Sequence, residues 1–484
     1  MDHDSQPSGD HGRVPRRRAS TRLLVLLVVG GAFASAVVLA LSWLAREPSP
    51  SRPRVVVFLS LDTLRPDHLG TYGHVRATSP VLDALADRGV VFEDAWSTAP
   101  WTLPAHATMF TGLYPSQAQV RSSPDRLPAT IPTIAEQLRD AGYRTVGIAS
   151  AAWFHLGGLS RGFDEWQLLE GDDTHAVTQT PEGLSDRITQ LGLEALRDNP
   201  ERPVFLFLHY FDVHSDYVSL PEFEALFLPE NFRAESRVDG STNQLGQILT
   251  GQTVLDDREK EDLARLYDAG IRQLDSRLAP LFDWIEAEVG WKQALVVVTS
   301  DHGEAFLEHD SSVAHGNGQY EEQLRVPLIM AGSDLPSRLR VAEPVSIIDI
   351  VPTLLGATGV APASPLPGHD LARHWQQGAN FTPPRAIYAQ SAPAIDQDWL
   401  RAVKRGRYKL IVNSKLGTRE LFDLYADPRE TRNLVESLPG VARELAALLD
   451  DFERQYPDSD RTSEFELDDA TRKRLRALGY TEQD

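Results

Sequence analysis

The sequence predicts an α/β protein with a large central sheet of mostly parallel strands flanked by helices. Residues 55–61 and 294–299 are almost entirely apolar and β-branched, which is typical of strands that a sheet buries on both faces. An aspartate follows each run, Asp62 after the first and Asp301 just after the second. Ligand sites in such sheets usually lie at the carboxyl ends of the strands, so the two aspartates mark a candidate site.

Strand-like and helix-like patterns alternate along most of the 484-residue chain. Apolar, β-branched runs predict strands at residues 54–61, 90–96, 143–150, 203–209, 294–299 and 325–331. Apolar residues at helical spacing predict helices at residues 80–88, 131–141, 184–197, 256–289 and 349–358. Residues 216–254 are irregular and acidic, and we expect them to form a loop insertion over the site.

A change in composition at residues 361–384 predicts a boundary before a small C-terminal subdomain. Short alternating runs at residues 401–404, 408–412 and 420–424 predict an antiparallel sheet, and residues 441–452 predict one helix beside them. Residues 467–480 predict a last helix. The expected division is a catalytic α/β domain at 54–375, an α+β subdomain at 385–455 and a tail at 456–484.

The N-terminal segment has a different character from the rest of the chain. Residues 1–22 form a basic tail, and residues 23–44 form an uncharged apolar run of about 22 residues, long enough to cross a bilayer as a helix. We expect a transmembrane anchor at 23–45 and a stiff proline-containing linker at 46–53. Because basic residues stay cytoplasmic, the expected protein is a single-pass membrane protein with an extracytoplasmic catalytic domain. The alternative is a signal peptide cleaved near Ala34-Ser35-Ala36.

Composition excludes some classes of function. The formal net charge of −21 argues against binding to nucleic acid. The chain has no cysteine, which excludes disulfides, thiolate metal ligands and cysteine nucleophiles. Any nucleophile or metal ligand must therefore come from other side chains.

Residues 101–112 read W-T-L-P-A-H-A-T-M-F-T-G and predict a helix that begins near Thr102. Pro104 is acceptable in a first helical turn, where its missing N–H costs little. The free N–H groups and partial positive charge of a helix N-terminus suit an anionic tetrahedral group. Thr102 is therefore either an ordinary helix N-cap or a nucleophile that attacks such a group.

A metal site is the second expectation. Asp62, Thr102, Asp301 and His302 each lie at a predicted strand or helix end, and two carboxylates, an imidazole and a hydroxyl could hold one divalent ion. Glu304 is expected to orient a ligand. The alternatives are that Asp62 only begins a turn and that His302 lies behind the ligands rather than among them.

Four motifs follow one another between residue 54 and the C-terminus. They are L-D-T-L-R at 61–65, T-x-P-x-H-A at 102–107 with T-G at 111–112, S-D-H-G-E at 300–304, and Y-E-E at 320–322 with R-V-P at 325–327. On these motifs the sequence resembles the sulfatase family, within the alkaline-phosphatase superfamily. The resemblance implies the sulfatase-like α/β fold with a small C-terminal antiparallel sheet and helix. It also implies metal ligation by Asp62, Thr102, Asp301 and His302.

Several positions depart from the pattern of that family. Its nucleophile is usually a Cys or Ser oxidised to formylglycine, whereas Thr102 is not expected to be converted and resembles relatives that use threonine directly. Thr63 stands where many members have a second Asp, and His302 where many have an Asn, which favours manganese or zinc over calcium. Ala118 stands where relatives often carry a His.

Further histidines are expected to surround the charged group of the substrate. His106 replaces the arginine of the family motif, and it either donates to substrate oxygens or packs as a structural residue. His209, Asp212 and His214 end a predicted strand; His214 is the candidate acid for the leaving group, with Asp212 as its orienter, unless it is structural. His315 is expected to bind substrate, and it could also contribute to a second metal site, for which the sequence shows no full ligand set.

Together these expectations describe a metal-dependent hydrolase that cleaves a sulfate or phosphate ester through a covalent Thr102 intermediate. Its catalytic residues are Thr102, His106 and His214, and its cofactor is one divalent ion of manganese, zinc or calcium. The expected substrate is an anionic ester, such as one carried by a glycan or a lipid. A phosphoethanolamine-type transferase or phosphodiesterase acting at the membrane is one alternative, and a non-catalytic pseudoenzyme is another.

Overall fold

The computed structural model describes residues 52–122, 125–151, 153–169, 181–198, 201–309, 313–316, 318–376, 385–391 and 400–457, and these belong to one compact unit. The predicted basic tail, transmembrane anchor and most of the linker lie outside the described residues, as does the predicted helix at 467–480. Among the helices of the described ranges, none is both long and apolar enough to cross a membrane.

The strands form one large sheet, a four-stranded sheet and a two-stranded hairpin. In chain order they are β1 (Val55–Leu61), β2 (Gly89–Trp96), β3 (Arg144–Ala149), β4 (Glu165–Leu168), β5 (Val204–Tyr210), β6 (Ala294–Thr299), β7 (Ala305–Phe306), β8 (Val313–Ala314), β9 (Arg325–Gly332), β10 (Leu339–Val341), β11 (Val345–Ser346), β12 (Ile387–Ser391), β13 (Leu400–Arg405), β14 (Tyr408–Asn413) and β15 (Thr418–Asp423).

The large sheet has the order β10-β2-β9-β6-β1-β5-β3-β4, with β11 also paired to β2. Strand β1 lies near the middle and pairs in parallel with both β5 and β6. All of its residues are buried, as expected for an apolar strand covered on both faces. The α/β class is confirmed, but the sheet is mixed, because β9 runs antiparallel to its neighbours β2 and β6. An apolar run fixes burial and not strand direction, so the sequence did not reveal this reversal.

Helices cover both faces of the large sheet. They are α1 (Pro80–Asp87), α2 (Thr102–Thr111), α3 (Pro115–Ala118), α4 (Ile134–Asp140), α5 (Trp153–Leu156), α6 (Ser185–Arg197), α7 (Pro221–Glu224), α8 (Phe232–Glu235), α9 (Thr242–Leu249), α10 (Asp257–Trp284), α11 (Glu321–Leu324), α12 (Ile350–Thr358), α13 (Arg373–Gln376) and α14 (Pro439–Gln455). Short 3-10 turns occupy Pro66–His68, Gly70–Tyr72, Trp291–Gln293 and Ile347–Asp349.

Helix α10 is the longest described helix, and its apolar residues at helical spacing, among them Leu263, Leu266 and Leu274, are buried as the periodic pattern predicted. Asp256 caps it, because its side chain accepts a hydrogen bond from the Glu259 amide while Glu259 bonds back to the Asp256 amide. The prediction of a helix to residue 289 is confirmed, although its last turn has a different geometry. The last turn, Ile285–Val289, is a π-helix that ends at Gly290, whose positive φ of 77° stops the chain from continuing as a helix.

The prediction that residues 216–254 form an irregular loop was wrong. This segment contains the short helices α7, α8 and α9. Pro221 begins α7 at a position where its missing N–H costs nothing, and Ser241 Oγ caps α9 by accepting from the Gln244 amide at 3.2 Å. The local capping signals were present, but the acidic composition obscured them.

The C-terminal subdomain is confirmed as an antiparallel sheet with one packed helix. Its order is β12-β13-β14-β15, and α14 covers one face through an apolar cluster that includes Leu410, Leu445 and Leu449. The other face joins the main body through buried charges. The Lys409 ammonium, fully buried, lies 2.8 Å from Glu430 and 3.1 Å from Glu321 of α11.

His309 reinforces the junction between the main body and the subdomain. Its ring stacks on Tyr320, Nδ1 donates to Glu322 at 2.9 Å and Nε2 donates to the Glu430 carbonyl at 3.2 Å. Burial opposes protonation of the ring, but Glu322 and Glu430 outweigh it and raise the pKa of His309 to about 9. Because the folded-state pKa lies above the usual value, this stabilisation is fully present below about pH 6.5 and is lost as pH rises through 9.

We therefore expect His309→Gln to lower the free energy of unfolding by about 1–2 kcal/mol at pH 6. Above pH 9.5 the difference between the variant and the wild type should shrink, since both side chains are then neutral. Urea denaturation of both proteins at the two pH values measures this. A difference that does not change with pH would contradict the charged state assigned to His309.

Candidate active site and metal centre

Strand pairing brings the two aspartates to the same edge of the sheet. Strands β1 and β6 are parallel neighbours, with Ser60 paired to Thr299, so the residues that follow both strands emerge side by side. Asp62 leaves the end of β1, and Asp301 and His302 follow β6 after one intervening residue. The carboxyl ends of neighbouring parallel strands lie at the same edge of a sheet, which explains why these side chains meet as predicted.

The ligand atoms of Asp62, Asp301 and His302 all lie within 4.8 Å of one another. His302 Nε2 is 3.2 Å from Asp301 Oδ2 and 3.8 Å from Asp62 Oδ1. Thr102 Oγ1 lies 3.3 Å from the same His302 nitrogen. The four predicted metal-site residues are therefore brought together, and all four are buried.

Each carboxylate of this site has one oxygen that is held by the protein and one that is not. Asp62 Oδ2 accepts from His209 Nε2 at 3.0 Å, and Asp301 Oδ1 accepts from the amides of His302 and Thr63 at 3.0 and 3.2 Å. Asp62 Oδ1 and Asp301 Oδ2 have no hydrogen-bond partner among the described residues, although both are buried. Buried anionic oxygens need a partner, so the donor set fits a divalent cation.

The charges of the site also favour a cation. Burial, and then the neighbouring Asp301 carboxylate, raise the pKa of Asp62 well above its usual value. Burial alone would also raise the pKa of Asp301, but His302, His106 and His209 outweigh it and hold that pKa at about 2. Two carboxylates this close repel each other, and a cation between them would remove the cost of ionising both.

A second group of side chains has metal-like spacing but a different chemistry. His68 Nδ1 lies 2.6 Å and His74 Nε2 3.3 Å from the carboxylate of Asp268. Arg76 Nε donates to that carboxylate at 2.5 Å. A guanidinium already neutralises the anion and would repel a cation, so this cluster does not fit a metal site.

Thr102 is the first residue of α2, and the extended Trp101 occupies the cap position without a capping hydrogen bond from its side chain. Thr102 is therefore not the N-cap. Its hydroxyl instead lies beside His302, at the positive end of the helix. Helix α2 ends at Gly112, whose φ of 69° belongs to the left-handed region.

His106 lies one helical turn after Thr102 and points into the protein. Its Nδ1 is 2.8 Å from the Thr102 carbonyl and its Nε2 is 2.9 Å from Ser60 Oγ. Phe154 packs against the ring edge, and burial lowers the pKa of His106 to about 3. The ring supports the backbone of Thr102, and its Nδ1 also lies 3.5 Å from Asp301 Oδ2, so His106 borders the metal site.

His209 lies behind the metal site, where its Nε2 holds Asp62 Oδ2 and Ser150 Oγ lies 3.4 Å from its Nδ1. Burial lowers the pKa of His209 to about 4, so the ring is neutral near pH 7. Asp212 has a different partner from the one predicted. Its Oδ1 accepts from the amides of Leu184 and Ser185, each at 3.0 Å, and so caps the start of α6.

His214 and His315 extend the cluster beyond His302. Their rings are 4.8 Å apart, and His315 lies 4.3 Å from the ring of His302. His315 Nδ1 is 2.9 Å from Glu304 Oε1, and His214 Nδ1 is 2.9 Å from the Ser215 carbonyl. Ser215, rather than Asp212, orients His214. Glu304 orients His315, which is not one of the predicted metal ligands.

Sequence patterns did not single out several supporting residues. Ser60 and Ser150 contact site histidines, and Tyr267 of α10 contacts the turn after Asp62. Helical spacing predicted that Tyr267 is a core residue, but none of these three contacts has a local signal, because each partner is distant in the chain. Gly303, by contrast, is part of the S-D-H-G-E motif. A Cβ at this position would lie 2.0 Å from the Glu322 carbonyl oxygen, so only glycine fits between the two backbone segments.

A family model described as Sulfatase matches residues 54–360. The chain belongs to the sulfatase family. A second model, described as N-sulphoglucosamine sulphohydrolase, C-terminal, matches residues 317–455. Together the two matches span both sheets of this sulfatase-family protein.

Individual relatives are distant but similar along most of their length. A Delta 4,5-hexuronate-2-O-sulfatase of Bacteroides thetaiotaomicron is 25% identical over 472 residues, covering 88% of this chain and 93% of the relative. A choline-sulfatase of Rhizobium meliloti is 26% identical, covering 75% of this chain and 78% of the relative. These names agree with the enzyme class expected from the sequence, an ester hydrolase of the sulfuric or phosphoric type.

Solved structures show the same fold. One, determined in complex with its substrate D-glucosamine-2-N,6-O-disulfate, has a TM-score of 0.71 at 19% identity and covers 85% of this chain and 99% of its own. The phosphonate monoester hydrolase of Agrobacterium radiobacter has a TM-score of 0.68 at 20% identity, covering 84% and 96%. At these identities the likeness establishes the sulfatase fold alone.

Proposed function

We propose that this protein is a metal-dependent hydrolase that cleaves a sulfate or phosphate ester through a covalent intermediate at Thr102. One observation carries the proposal. The Thr102 hydroxyl, at the N-terminus of α2, lies 3.3 Å from His302 in a cluster where two buried carboxylate oxygens lack hydrogen-bond partners among the described residues. A hydroxyl in such a place is suited to act as both ligand and nucleophile.

Asp62, Asp301, His302 and the Thr102 hydroxyl would hold the cation, with manganese or zinc favoured by the imidazole ligand. When bound, it would supply Lewis acidity that lowers the pKa of the hydroxyl and offsets negative charge on the transferred group. The Thr102 oxygen would then bond to phosphorus or sulfur as its proton passes to water, while the ester oxygen leaves with the electrons of the broken bond and takes a proton from water. Water attacks the Thr102 ester in the second step and restores the hydroxyl.

The two outer histidines would serve the second step. Burial lowers the pKa of His214 to about 3 and that of His315 to about 4, so both rings are neutral near pH 7. His315 Nδ1 lies 2.9 Å from Glu304 Oε1, so Nε2 is the nitrogen left to take a proton from the attacking water. A neutral His214 suits substrate binding better than the acid role predicted from the sequence.

The chemistry of threonine favours phosphate over sulfate. A formylglycine enzyme can expel sulfate by collapse of a hemiacetal, whereas a threonine sulfate has no such route and must be hydrolysed at sulfur. The names of the relatives favour sulfate. We therefore propose phosphoryl transfer as the leading reaction and sulfate hydrolysis as the second, with a glycan or lipid as the carrier of the ester.

A comparison of substrates tests the proposal. Purified protein loaded with manganese or zinc is incubated with an aryl sulfate, an aryl phosphate monoester and an aryl phosphodiester, and rapidly quenched samples are mapped for a label on Thr102. We expect turnover of a phosphate ester and a labelled Thr102. Turnover of the sulfate alone, with no label on Thr102, would refute both the preferred substrate and the intermediate.

Two alternatives predict other outcomes in the same experiment. A phosphoethanolamine-type transferase would form labelled Thr102 but release little product until a lipid or glycan acceptor is added. A pseudoenzyme would give neither label nor turnover.

Anchoring of the chain by residues 23–45, with the catalytic domain on the extracytoplasmic side, also stays a proposal, and membrane fractionation followed by protease protection of intact cells would test it.

A further inference from the structure

The turn after Asp62 is held by three side chains, one for each consecutive backbone amide. Thr63 N–H donates to Asp301 Oδ1 at 3.2 Å, and Leu64 N–H donates to Ser300 Oγ at 2.9 Å. Arg65 N–H donates to the hydroxyl of Tyr267 at 2.9 Å. Asp301 and Ser300 belong to the segment that also supplies the metal site, so of these three side chains only Tyr267 ties the turn to a different part of the fold.

Tyr267 bridges the turn at both of its ends. Its hydroxyl accepts from the Arg65 amide and donates to the Thr63 carbonyl at 2.8 Å. Thr63 has a φ of 58°, a left-handed conformation that a residue with a β-branched side chain adopts only when its surroundings hold it there. The Tyr267 ring is buried, and it packs on His68 and Phe306.

Helix α10 gives this hydroxyl a rigid base. Asp268, the next residue, holds His68 and Arg76, and Asp275 two turns later accepts the amides of Val81 and Leu82. One helix therefore fixes the chain from the turn after Asp62 to the start of α1. A side chain on a rigid, multiply anchored element can hold a strained turn more accurately than a surface loop can.

We propose that Tyr267 is a positioning residue for the metal site, and that its hydroxyl holds the 62–65 turn so that Asp62 Oδ1 faces Asp301 and His302. As far as the structure describes the chain, the Tyr267 hydroxyl bonds to the backbone of Thr63 and Arg65 and not to a ligand atom. Without the hydroxyl, the buried Thr63 carbonyl and Arg65 amide lose their partner, and the turn relaxes toward an unstrained φ. The Asp62 carboxylate, attached to that turn, then leaves the geometry that a cation needs. This inference rests on the metal-dependent function proposed above.

The test variant is Tyr267→Phe, which removes the hydroxyl and keeps the ring contacts. Tyr72→Phe is a matched control. The Tyr72 hydroxyl also bridges a backbone carbonyl and a backbone amide, donating to Phe92 O at 3.2 Å and accepting from Leu328 N at 2.9 Å, but it ties β2 to β9 away from the metal site. Both variants should lose a similar amount of thermal stability in the metal-free form.

The measurement is the dissociation constant for manganese or zinc, obtained by competition with a chromophoric chelator on metal-free full-length protein. We expect Tyr267→Phe to bind the metal about 10–100-fold more weakly than wild type, and Tyr72→Phe to bind it as tightly as wild type. Unchanged affinity in Tyr267→Phe would overturn the inference and leave the proposed function intact, as would equal weakening in both variants. A wild type that binds no metal would overturn the proposed function, and this inference with it.

Discussion

Thr102→Ala is expected to reduce kcat at least about 1,000-fold on the preferred ester, with loss of the labelled intermediate. Loss of a covalent nucleophile removes the lower-energy route, and the residual rate comes only from binding and charge stabilisation. The fold should be preserved, because the Thr102 hydroxyl contacts His302 and caps no helix. Steady-state kinetics with circular dichroism as a check on folding measures both effects.

Two further variants separate loss of the nucleophile from damage to helix α2. Thr102→Ser retains a hydroxyl and should keep measurable turnover and a label on the serine. Thr111→Ala removes another buried hydroxyl of the same helix, one that donates to the Ala107 carbonyl at 2.7 Å. It should change stability by about 1 kcal/mol and leave kcat near wild type. Full activity in Thr102→Ala would show that Thr102 is not the nucleophile.

Asp301→Asn is expected to remove most of the bound metal and to reduce turnover at least about 1,000-fold. The amide oxygen can still accept from the Thr63 and His302 amides, so the local backbone contacts survive while the anionic oxygen that faces Asp62 is lost. Metal analysis of the purified variant should find less than about a tenth of the wild-type content, since an anionic ligand contributes much of the affinity for a divalent cation.

The stability deficit of the same variant, relative to wild type, should grow when metal is added. In the metal-free protein, Asp301→Asn removes the repulsion from Asp62 but also the attraction of His302, His106 and His209 that lowers the pKa of Asp301, so the variant should be less stable than wild type at pH 7. At a metal concentration of about 100 times Kd, wild type should gain about 2.7 kcal/mol, and the variant should gain little. Thermal unfolding with and without metal measures the difference between the two deficits.

Asp275→Asn provides the comparison for a buried aspartate outside the site. Asp275 accepts the amides of Val81 and Leu82, so its substitution should lower stability equally with and without metal. If Asp301→Asn behaved like Asp275→Asn, with equal losses in both conditions, the metal centre would be wrongly placed.

Much of the site could be predicted from the sequence because its ligands follow strongly patterned elements. The buried strand β1 ends at Asp62, β6 leads to Asp301 and His302, and the helix with Pro104 begins at Thr102. Each of these rests on local physical chemistry: apolar runs form buried strands, and small and proline residues begin helices. The carboxyl ends of the parallel neighbouring strands β1 and β6 lie at the same edge of the sheet, so the residues that follow them come together.

The roles of the supporting histidines could not be predicted in the same way. His106 and His209 look equivalent to ligand or substrate groups in the sequence, yet the fold turns His106 toward Ser60 and His209 toward the back of Asp62. Asp212 lies two residues before His214 and still caps α6. The direction of a side chain depends on the backbone dihedral angles and on the packing around it. Closeness of two residues in the sequence reveals neither of these.

The sequence by itself determined the α/β class, the positions of the ligand-bearing turns and the absence of any cysteine chemistry. These follow from hydrophobic periodicity, capping signals and composition, which are local quantities. Only the tertiary structure decided the antiparallel direction of β9, the helices α7 to α9 and the bridge from Tyr267 to Thr63, which joins residues 204 positions apart. Such contacts depend on how whole elements pack, because a hydrogen bond between distant residues leaves no periodic trace in the chain.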